Sequence, residues 1–339
     1  MKFKSFVFIF LFLMVPVSAL AGGFCCQMPA GVEQNGLTGA GGISLGVDYD
    51  YTRMSRFVEG DSYKSLNAVL HDPRFTPMGA MAKGVVPEVM TMQRITLTAA
   101  YQPTARLVLS LSEPWVINDM SMRMWMMGHW TRMTMQEISE PGDLTLFGSY
   151  RIYQDQATRP RTALWAGVGV KFPTGSSTVD EGGKRVHAHM QPGTGSWDPI
   201  FSANFIKMLS SDFLWKADAT YHISTDNHLN YNYGNTLAFD TCLDYNLTDM
   251  VNIGLGAKYF HSDKAKDPDN KYNGQDSHRL TDFVGYTGED SIWITPAVRV
   301  LPVNGMAIDL KFQYPLYYHI PVIAQVTDFR VTAGVSYSF

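Results

Sequence analysis

The eleven residues at the carboxyl end alternate strictly between apolar and polar side chains, and this pattern constrains the fold more than any other feature. Apolar or aromatic side chains stand at every second position: Phe329, Val331, Ala333, Val335, Tyr337 and Phe339. A β-strand with this two-residue period has one apolar face and one polar face. Such a strand, ending on an aromatic residue, is typical of bacterial outer-membrane β-barrels. The pattern therefore predicts an all-β, antiparallel up-and-down transmembrane barrel in the bacterial cell outer membrane.

The amino-terminal segment has the features of an export signal. Lys2 and Lys4 precede an apolar run at 6–17, and Ala19-Leu20-Ala21 supplies the small residues that signal peptidase requires. We expect residues 1–21 to be a cleaved signal peptide. A lipoprotein signal is the alternative, because Cys25 and Cys26 follow closely. It is less favoured, because a bulky residue or a cysteine would precede the modified cysteine, where a small residue is expected.

The remaining composition also favours a barrel over a soluble periplasmic β-protein. After residue 21 no segment reaches the roughly 20 consecutive apolar residues of a membrane-spanning helix. The chain has 17 Tyr, 19 Phe and 7 Trp but only 17% charged residues, and aromatic side chains gather at membrane interfaces. Without Lys2 and Lys4, 25 basic and 31 acidic residues give a net charge of −6, which argues against nucleic acid as a partner. Outer-membrane lipid and a small-molecule or metal-ion solute are the expected partners.

Twelve strands are predicted, and many of them alternate between apolar and polar residues. Ten or fourteen strands are the alternatives, because the first and sixth alternate weakly. In the ninth, Val251, Ile253 and Leu255 share one face, while Asn252 and Gly254 share the other. The predicted ranges are 42–58, 90–102, 105–116, 142–154, 162–173, 196–208, 212–224, 234–246, 249–262, 289–301, 306–318 and 328–339. An even number of strands places both ends of the barrel in the periplasm.

The predicted connections alternate between short and long, as they do in outer-membrane barrels with short periplasmic turns and long extracellular loops. Tight-turn sequences stand at 102–105, 209–212, 246–249 and 302–305, and a slightly longer one at 155–161. The long connections are 59–89, 117–141, 174–195, 225–233, 263–288 and 319–327. Residues 41–339 are thus predicted to form the barrel, and residues 22–40 a periplasmic segment or a plug.

Three sequence blocks in the middle of the chain resemble a known family. They are GDLTLFGSYR at 142–151, GVGVKFPTG at 167–175 and GTGSWD at 193–198. These blocks are similar to the outer-membrane family called "MetA-pathway of phenol degradation", and the resemblance implies an outer-membrane barrel of the transporter type. Pro173 is expected to end the fifth strand, because proline cannot continue the hydrogen-bond ladder of a sheet. Glycines at 148, 167 and 169 let neighbouring groups approach the strands closely.

The long connection at 117–141 is unusually rich in methionine. Its soft donors are Met120, Met122, Met124, Met126, Met127, His129, Met133 and Met135. Thioether and imidazole groups suit Cu(I), and the even spacing would place four sulfurs along one edge of an extended segment. The alternative interpretation, which we favour, is that flexible methionines fill an irregular apolar space.

A second group of soft donors occurs in the connection at 174–195. His187, His189 and Met190 would emerge on the same side of the membrane, and alternate histidines on an extended chain can face one ion. Cys25, Cys26 and Met28 add further soft donors, at the periplasmic end. A copper-capture barrel is therefore the alternative function, with copper as the only cofactor that the sequence suggests.

A lipid-hydrolase function is a minor alternative. His222-Ile223-Ser224 has the spacing that puts an imidazole and a hydroxyl on one face of a strand, and it resembles the active strand of outer-membrane phospholipases. The Asn-Gly that follows the serine in those enzymes is replaced by Thr225-Asp226, and the alternation directs His222 to the lumen. We therefore expect no enzymatic activity and no catalytic residues.

The polar faces of the predicted strands carry charges of both signs. The predicted pore-lining residues are Arg94, Arg151, Lys171, Lys216, Asp218, Asp240, Lys258, Arg299, Asp309, Lys311 and Arg330. Mixed signs on neighbouring strands are expected to pair and brace the barrel, or to line a selective pore. The sequence thus favours a monomeric or loosely associated channel that passes a small solute by diffusion through a polar lumen.

Overall fold

The computed structural model describes residues 41–75, 84–156, 160–272 and 276–339, which form one closed β-barrel. The predicted signal peptide, the segment at 22–40, and Cys25, Cys26 and Met28 lie outside the described residues. Within these ranges, no helix has the length and apolar character needed to span a membrane.

Sixteen strands and three short helices make up the described chain. The strands are β1 (Ile43–Gly60), β2 (Ser62–Lys64), β3 (Val85–Thr104), β4 (Leu107–Met126), β5 (His129–Thr134), β6 (Ile138–Pro141), β7 (Thr145–Gln154), β8 (Thr162–Lys171), β9 (Asp180–Glu181), β10 (Lys184–Arg185), β11 (Asp198–Met208), β12 (Phe213–His222), β13 (Thr236–Asn246), β14 (Val251–Ser262), β15 (Glu289–Val300) and β16 (Met306–Ser338). The helices are α1 (Leu66–Leu70) and two single 3-10 turns, Ala188–Met190 and Val284–Tyr286.

Eleven of these strands close the barrel, and the last one supplies two wall segments. The order around the wall is β1, β3, β4, β7, β8, β11, β12, β13, β14, β15 and β16, and β16 pairs back onto β1. Every neighbouring pair is antiparallel, yet β16 pairs with β15 through residues 308–319 and with β1 through residues 320–338. A closed ring with an odd number of strands cannot be antiparallel at every pairing. The chain must therefore reverse direction within β16, near residue 320. The ring contact between Phe312 and Phe329, with centroids 5.9 Å apart, is consistent with this reversal. The wall therefore has twelve segments, as predicted.

The outward face of the wall is apolar. Leu97, Val168 and Leu255 are more than half exposed (58%, 59% and 56%), while their neighbours in sequence turn inward. Exposed aromatic residues, among them Tyr101 and Tyr221, lie near the strand ends. An apolar band bordered by aromatic residues is the surface that an outer-membrane barrel presents to lipid.

The connections follow the predicted alternation. Five short connections, after β3, β7, β11, β13 and β15, lie at the end of the barrel that holds Ile43 and Ser338, which is the periplasmic end. The long connections lie at the extracellular end. One of them carries the β4–β5 hairpin, whose two-residue turn places Met127 and Gly128 at positive φ (51° and 84°), as a type I′ turn requires.

Two predicted boundaries are wrong because hydrogen-bonded strands continue into the predicted loops at the extracellular end. The predicted loop at 117–141 begins as a strand: β4 runs to Met126, pairs with β3 as far as Val85 and pairs with β5 on its other edge. Methionine at every second position from Met120 to Met126 is itself the two-residue period of a β-strand. The predicted loop at 319–327 is the reversal inside β16, where the chain stays hydrogen-bonded to β1.

Apolar side chains occupy one side of the barrel interior near the periplasmic turns. Trp165 is 1% exposed and packs with the inward-facing apolar residues Ala100, Val108, Ala163, Ile206 and Leu214. The guanidinium of Arg151 lies 5.8 Å from the centroid of the Trp165 ring. Closer to the extracellular end of the same wall, the Phe147 ring lies against Gly167 and Gly169. This contact explains why these two positions are glycine.

Candidate functional site

A cavity of about 360 Å³ lies inside the extracellular half of the barrel. Inward-facing residues of β1, β3, β4, β14, β15 and β16 line it from the wall, and residues 187–190, 231–233 and 280–288 line it from the extracellular loops. Its lining is rich in aromatic and thioether side chains: Tyr231, Tyr233, Phe260, Tyr286, Trp293, Met54, Met90, Met120 and Met190. We name this space the loop cavity.

The loop between β8 and β11, residues 172–197, folds into the barrel. Met190 is completely buried, and its carbonyl oxygen accepts a hydrogen bond from Asn118 Nδ2 (3.1 Å) on the inner face of β4. The Tyr233 hydroxyl donates to the carbonyl oxygen of Ala188 (3.1 Å), and the Tyr272 hydroxyl donates to that of Ser177. These bonds join three extracellular loops over the loop cavity.

The three sequence blocks that resemble the family meet at the base of this inward loop. Asp143 Oδ1 accepts from the backbone N–H of Gly175 (3.0 Å), and Asp143 Oδ2 accepts from the backbone N–H of Thr194 (2.7 Å). A side chain at Gly175 would lie 2.7 Å from the backbone carbon of Gly142. The blocks therefore have a structural role, because they fix both ends of the loop against β7.

Lys171 connects this anchor to the next strand. Its Nζ lies 2.6 Å from Asp198 Oδ2 and 3.7 Å from Asp143 Oδ2. His222 Nε2 lies 3.5 Å from the same Asp198 oxygen. Two buried carboxylates thus share one ammonium group, an arrangement that offsets the cost of burying them.

A buried hydrogen bond joins the inward loop to the loop before β15. His187 Nδ1 contacts Asp282 Oδ1, and Arg279 Nε lies 3.3 Å from Asp282 Oδ2. His189, two residues further on, is accessible within the loop cavity but surrounded by protein. Burial is the main cause that lowers the pKa of His189 below its usual value, so this imidazole is neutral at pH 7.

Tyrosines pack at the extracellular side of the cavity. Tyr231 makes edge-on contacts with Tyr233 and Tyr272, with ring centroids 4.8 and 4.9 Å apart. Burial raises the pKa of Tyr272 to about 12 and also raises the pKa values of Tyr231 and Tyr233, so all three phenols stay neutral. They offer apolar rings and hydroxyl groups but no charge.

The predicted pore-lining residues all project inward. Arg299 forms a bidentate pair with Asp309 (2.6 and 2.7 Å), and Lys216 and Lys258 lie 3.7 and 3.9 Å from Asp244 and Asp240. The remaining members of the predicted set are Arg94, Arg151, Lys171, Asp218, Lys311 and Arg330. Several therefore brace the wall by pairing between neighbouring strands.

Arg94 faces open space in the middle of the barrel. It projects inward from β3 opposite Asp50, yet it is an exposed residue. An inward-facing side chain can be exposed only where other side chains leave space beside it. Lys258 and Arg330, which line the loop cavity from the wall, place positive charge at the same level of the interior.

The structure divides the predicted metal-ligating residues into two groups. Met120, Met122, Met135 and Met190 are buried in one cluster, with Met124 packed against it. Met126, Met127, His129 and Met133 lie exposed on the β4–β5 hairpin, outside this cluster. His187 and His189 line the loop cavity beside Met120 and Met190.

The sequence prediction missed several residues of the cavity. Met54 and Met90 line the cavity from β1 and β3, and they join the methionine cluster together with Met92 of β3. Met90 and Met92 have the two-residue spacing of Met120 and Met122, and this spacing is the sequence signal that could have identified them. Trp293 and Tyr286 had no comparable signal.

His222 and Ser224 each have other hydrogen-bonding partners. His222 pairs with Asp198, as described above. Ser224 is buried, its Oγ accepts from the backbone N–H of Tyr233 (3.1 Å), and its own N–H donates to Asn235 Oδ1 (3.0 Å). Both contacts hold the β12–β13 connection in place.

A solved outer-membrane channel structure has the same fold. An outer membrane channel from Pseudomonas putida F1 is 13% identical, with 88% of this chain and 96% of that chain covered and a TM-score of 0.61. The NanC porin is 8% identical over 86% and 98% of the two chains, with a TM-score of 0.44. The Ralstonia pickettii toluene transporter TbuX is 12% identical over 92% and 93%, with a TM-score of 0.42.

No curated protein sequence matches the chain. A family model does match, over residues 96–315, which include the three blocks anchored by Asp143. This range covers more than half of the chain and most of the barrel wall. The chain therefore belongs to the family described as "Putative MetA-pathway of phenol degradation".

Proposed function

We propose that this barrel is a channel that carries a small, uncharged or amphipathic solute from the extracellular side to the periplasm. The observation that carries the proposal is the loop cavity, a space inside the membrane barrel with aromatic and thioether sides. Its volume of about 360 Å³ lies in the range of small-molecule sites, which are mostly apolar with a few polar groups that orient the ligand. The neutral polar residues of this kind include Gln313, Gln325 and Thr287.

The charged part of the lumen on the periplasmic side of the cavity supplies the route for the solute. Arg94 and Asp50, which face each other on β3 and β1, lie between the loop cavity and the periplasmic half of the barrel, and Arg330 borders the cavity. The cluster around Trp165 narrows the periplasmic half on one side. We propose that a solute bound in the cavity moves down this charged section and leaves beside Trp165.

Family and fold support the proposal. The similar structure from Pseudomonas putida F1 is described as an outer membrane channel. The proposal assigns no chemical step to His222 and Ser224. His222 contacts Asp198 on β11, and Ser224 holds the β12–β13 connection through Tyr233.

Uptake into liposomes tests the proposal. Ala324 lines the loop cavity, so A324W should fill it and slow the entry of small aromatic solutes into protein-containing liposomes at least severalfold. The control is A99W, because Ala99 is exposed on the outer face of β3. Equal uptake with and without wild-type protein, or unchanged uptake by A324W, would refute the proposal.

A further inference from the structure

Four thioether groups from four separate parts of the chain line one side of the loop cavity. Met54 comes from β1, Met90 from β3, Met120 from β4 and Met190 from the inward loop. Met90, Met120 and Met190 are 4%, 3% and 0% exposed and belong to one packed cluster, with Met54 against it. Sulfur donors far apart in sequence are thus held together by the barrel.

Two imidazoles line the same cavity. Asp282 holds His187 through Nδ1, and Arg279 in turn holds the second oxygen of that carboxylate. Metal-binding histidines are commonly oriented in this way, with a carboxylate on one ring nitrogen and the metal on the other. His189 stands two residues further along the same loop segment.

We propose that this side of the loop cavity binds a soft monovalent cation, Cu(I) or Ag(I), through Met90, Met120 and Met190 together with an imidazole of His187 or His189. Thioethers and imidazoles are ligands that soft ions accept, whereas Ca²⁺ and Mg²⁺ require oxygen. In the described part of the chain, no group of three or more His, Cys, Asp or Glu residues could hold a metal ion. The site therefore depends on its thioethers.

This placement differs from the site that the sequence suggested. The exposed hairpin residues Met126, Met127 and Met133 lie outside the cavity and have no part in the proposed site. They therefore provide a matched control with the same number of thioethers on the same face of the membrane. Replacement of methionine by leucine removes sulfur while nearly conserving volume, so the fold should tolerate both sets of changes.

The test is a titration of the full-length, folded protein in detergent with Cu(I), in competition with a chromophoric Cu(I) chelator. The wild type should remove one equivalent of Cu(I) from the chelator. The triple variant M90L/M120L/M190L should bind at least tenfold more weakly, while M126L/M127L/M133L should match the wild type. X-ray absorption of the copper-loaded wild type should show both sulfur and nitrogen neighbours.

Three results would overturn the proposal: no competition by the wild type, equal affinity of the cavity triple variant, or loss of binding only in the hairpin triple variant. If M90L/M120L/M190L fails to fold, the affinity of the single variant M190L and the X-ray absorption spectrum of the wild type test the proposal in its place. Solute uptake measured without metal tests the channel independently, so failure of either proposal can be recognised separately.

Discussion

The carboxylate of Asp143 and the backbone N–H of Thr194, 51 residues apart in sequence, are joined by a hydrogen bond of 2.7 Å. The same carboxylate holds Gly175, so one side chain fixes both ends of the loop that folds into the barrel. The position of this loop determines the shape of the loop cavity.

Removal of this carboxylate should release the loop. In D143A the amides of Gly175 and Thr194 lose their acceptor, and each buried charge-assisted hydrogen bond contributes about 1.5–3 kcal/mol. Hydrogen–deuterium exchange of peptides covering 173–196 should accelerate by roughly ten- to a hundredfold. D180A, which changes an exposed carboxylate in the same loop, should leave exchange at the base of the loop unaltered. Similar exchange in both variants would show that the anchor lies elsewhere.

A side chain at Gly169 should impair folding. A Cβ there would lie 2.8 Å from the carbonyl oxygen of Leu146 and would collide with the Phe147 ring. G169A should therefore lower the yield of the folded form, measured as the fraction with folded mobility in unheated gel electrophoresis. The control is G46A, whose Cβ would meet its nearest neighbour at 3.7 Å and should fold like the wild type. A normal yield for G169A would contradict the close packing of β7 and β8.

A charge on the lipid face should destabilise the barrel according to its depth. Leu255 is 56% exposed in the middle of β14, and L255R should cost about 2–4 kcal/mol if this position lies at the bilayer midplane. Leu247 is 53% exposed in the periplasmic turn before β14, so L247R should cost much less. Urea unfolding in lipid vesicles measures both changes. Equal losses would place Leu255 outside the apolar band.

Much of the barrel could be predicted because its signal is local. Alternation within a strand such as Val251–Ser262 follows from the two faces of a single strand, and turn compositions need only a few residues. The inward direction of Lys216 and Arg299 followed from the same alternation. Errors arose where strands continue into the predicted loops. The alternate methionines from Met120 to Met126 fit a loop rich in one residue type and also a strand with a two-residue period, so the sequence did not distinguish the two.

The loop cavity could not be predicted because its contacts are long-range. Ser177 and Tyr272 are bonded across 95 residues, as are His187 and Asp282, and loop segments have no periodicity that reveals such partners. The methionine cluster was recognised only in part, since Met54 and Met90 lie on other strands. Their contribution depends on the registers in which β1 pairs with β3 and β3 pairs with β4.

The most direct test of the channel is the current through single molecules in a planar lipid bilayer. Wild-type protein should give small, discrete openings, because the buried cluster around Trp165 narrows the periplasmic half of the lumen. W165A should give clearly larger openings, since the change removes the largest side chain of that cluster, while W215A, on the outer face of β12, should match the wild type. Absence of current from correctly folded wild type and W165A alike would contradict a passage through the barrel.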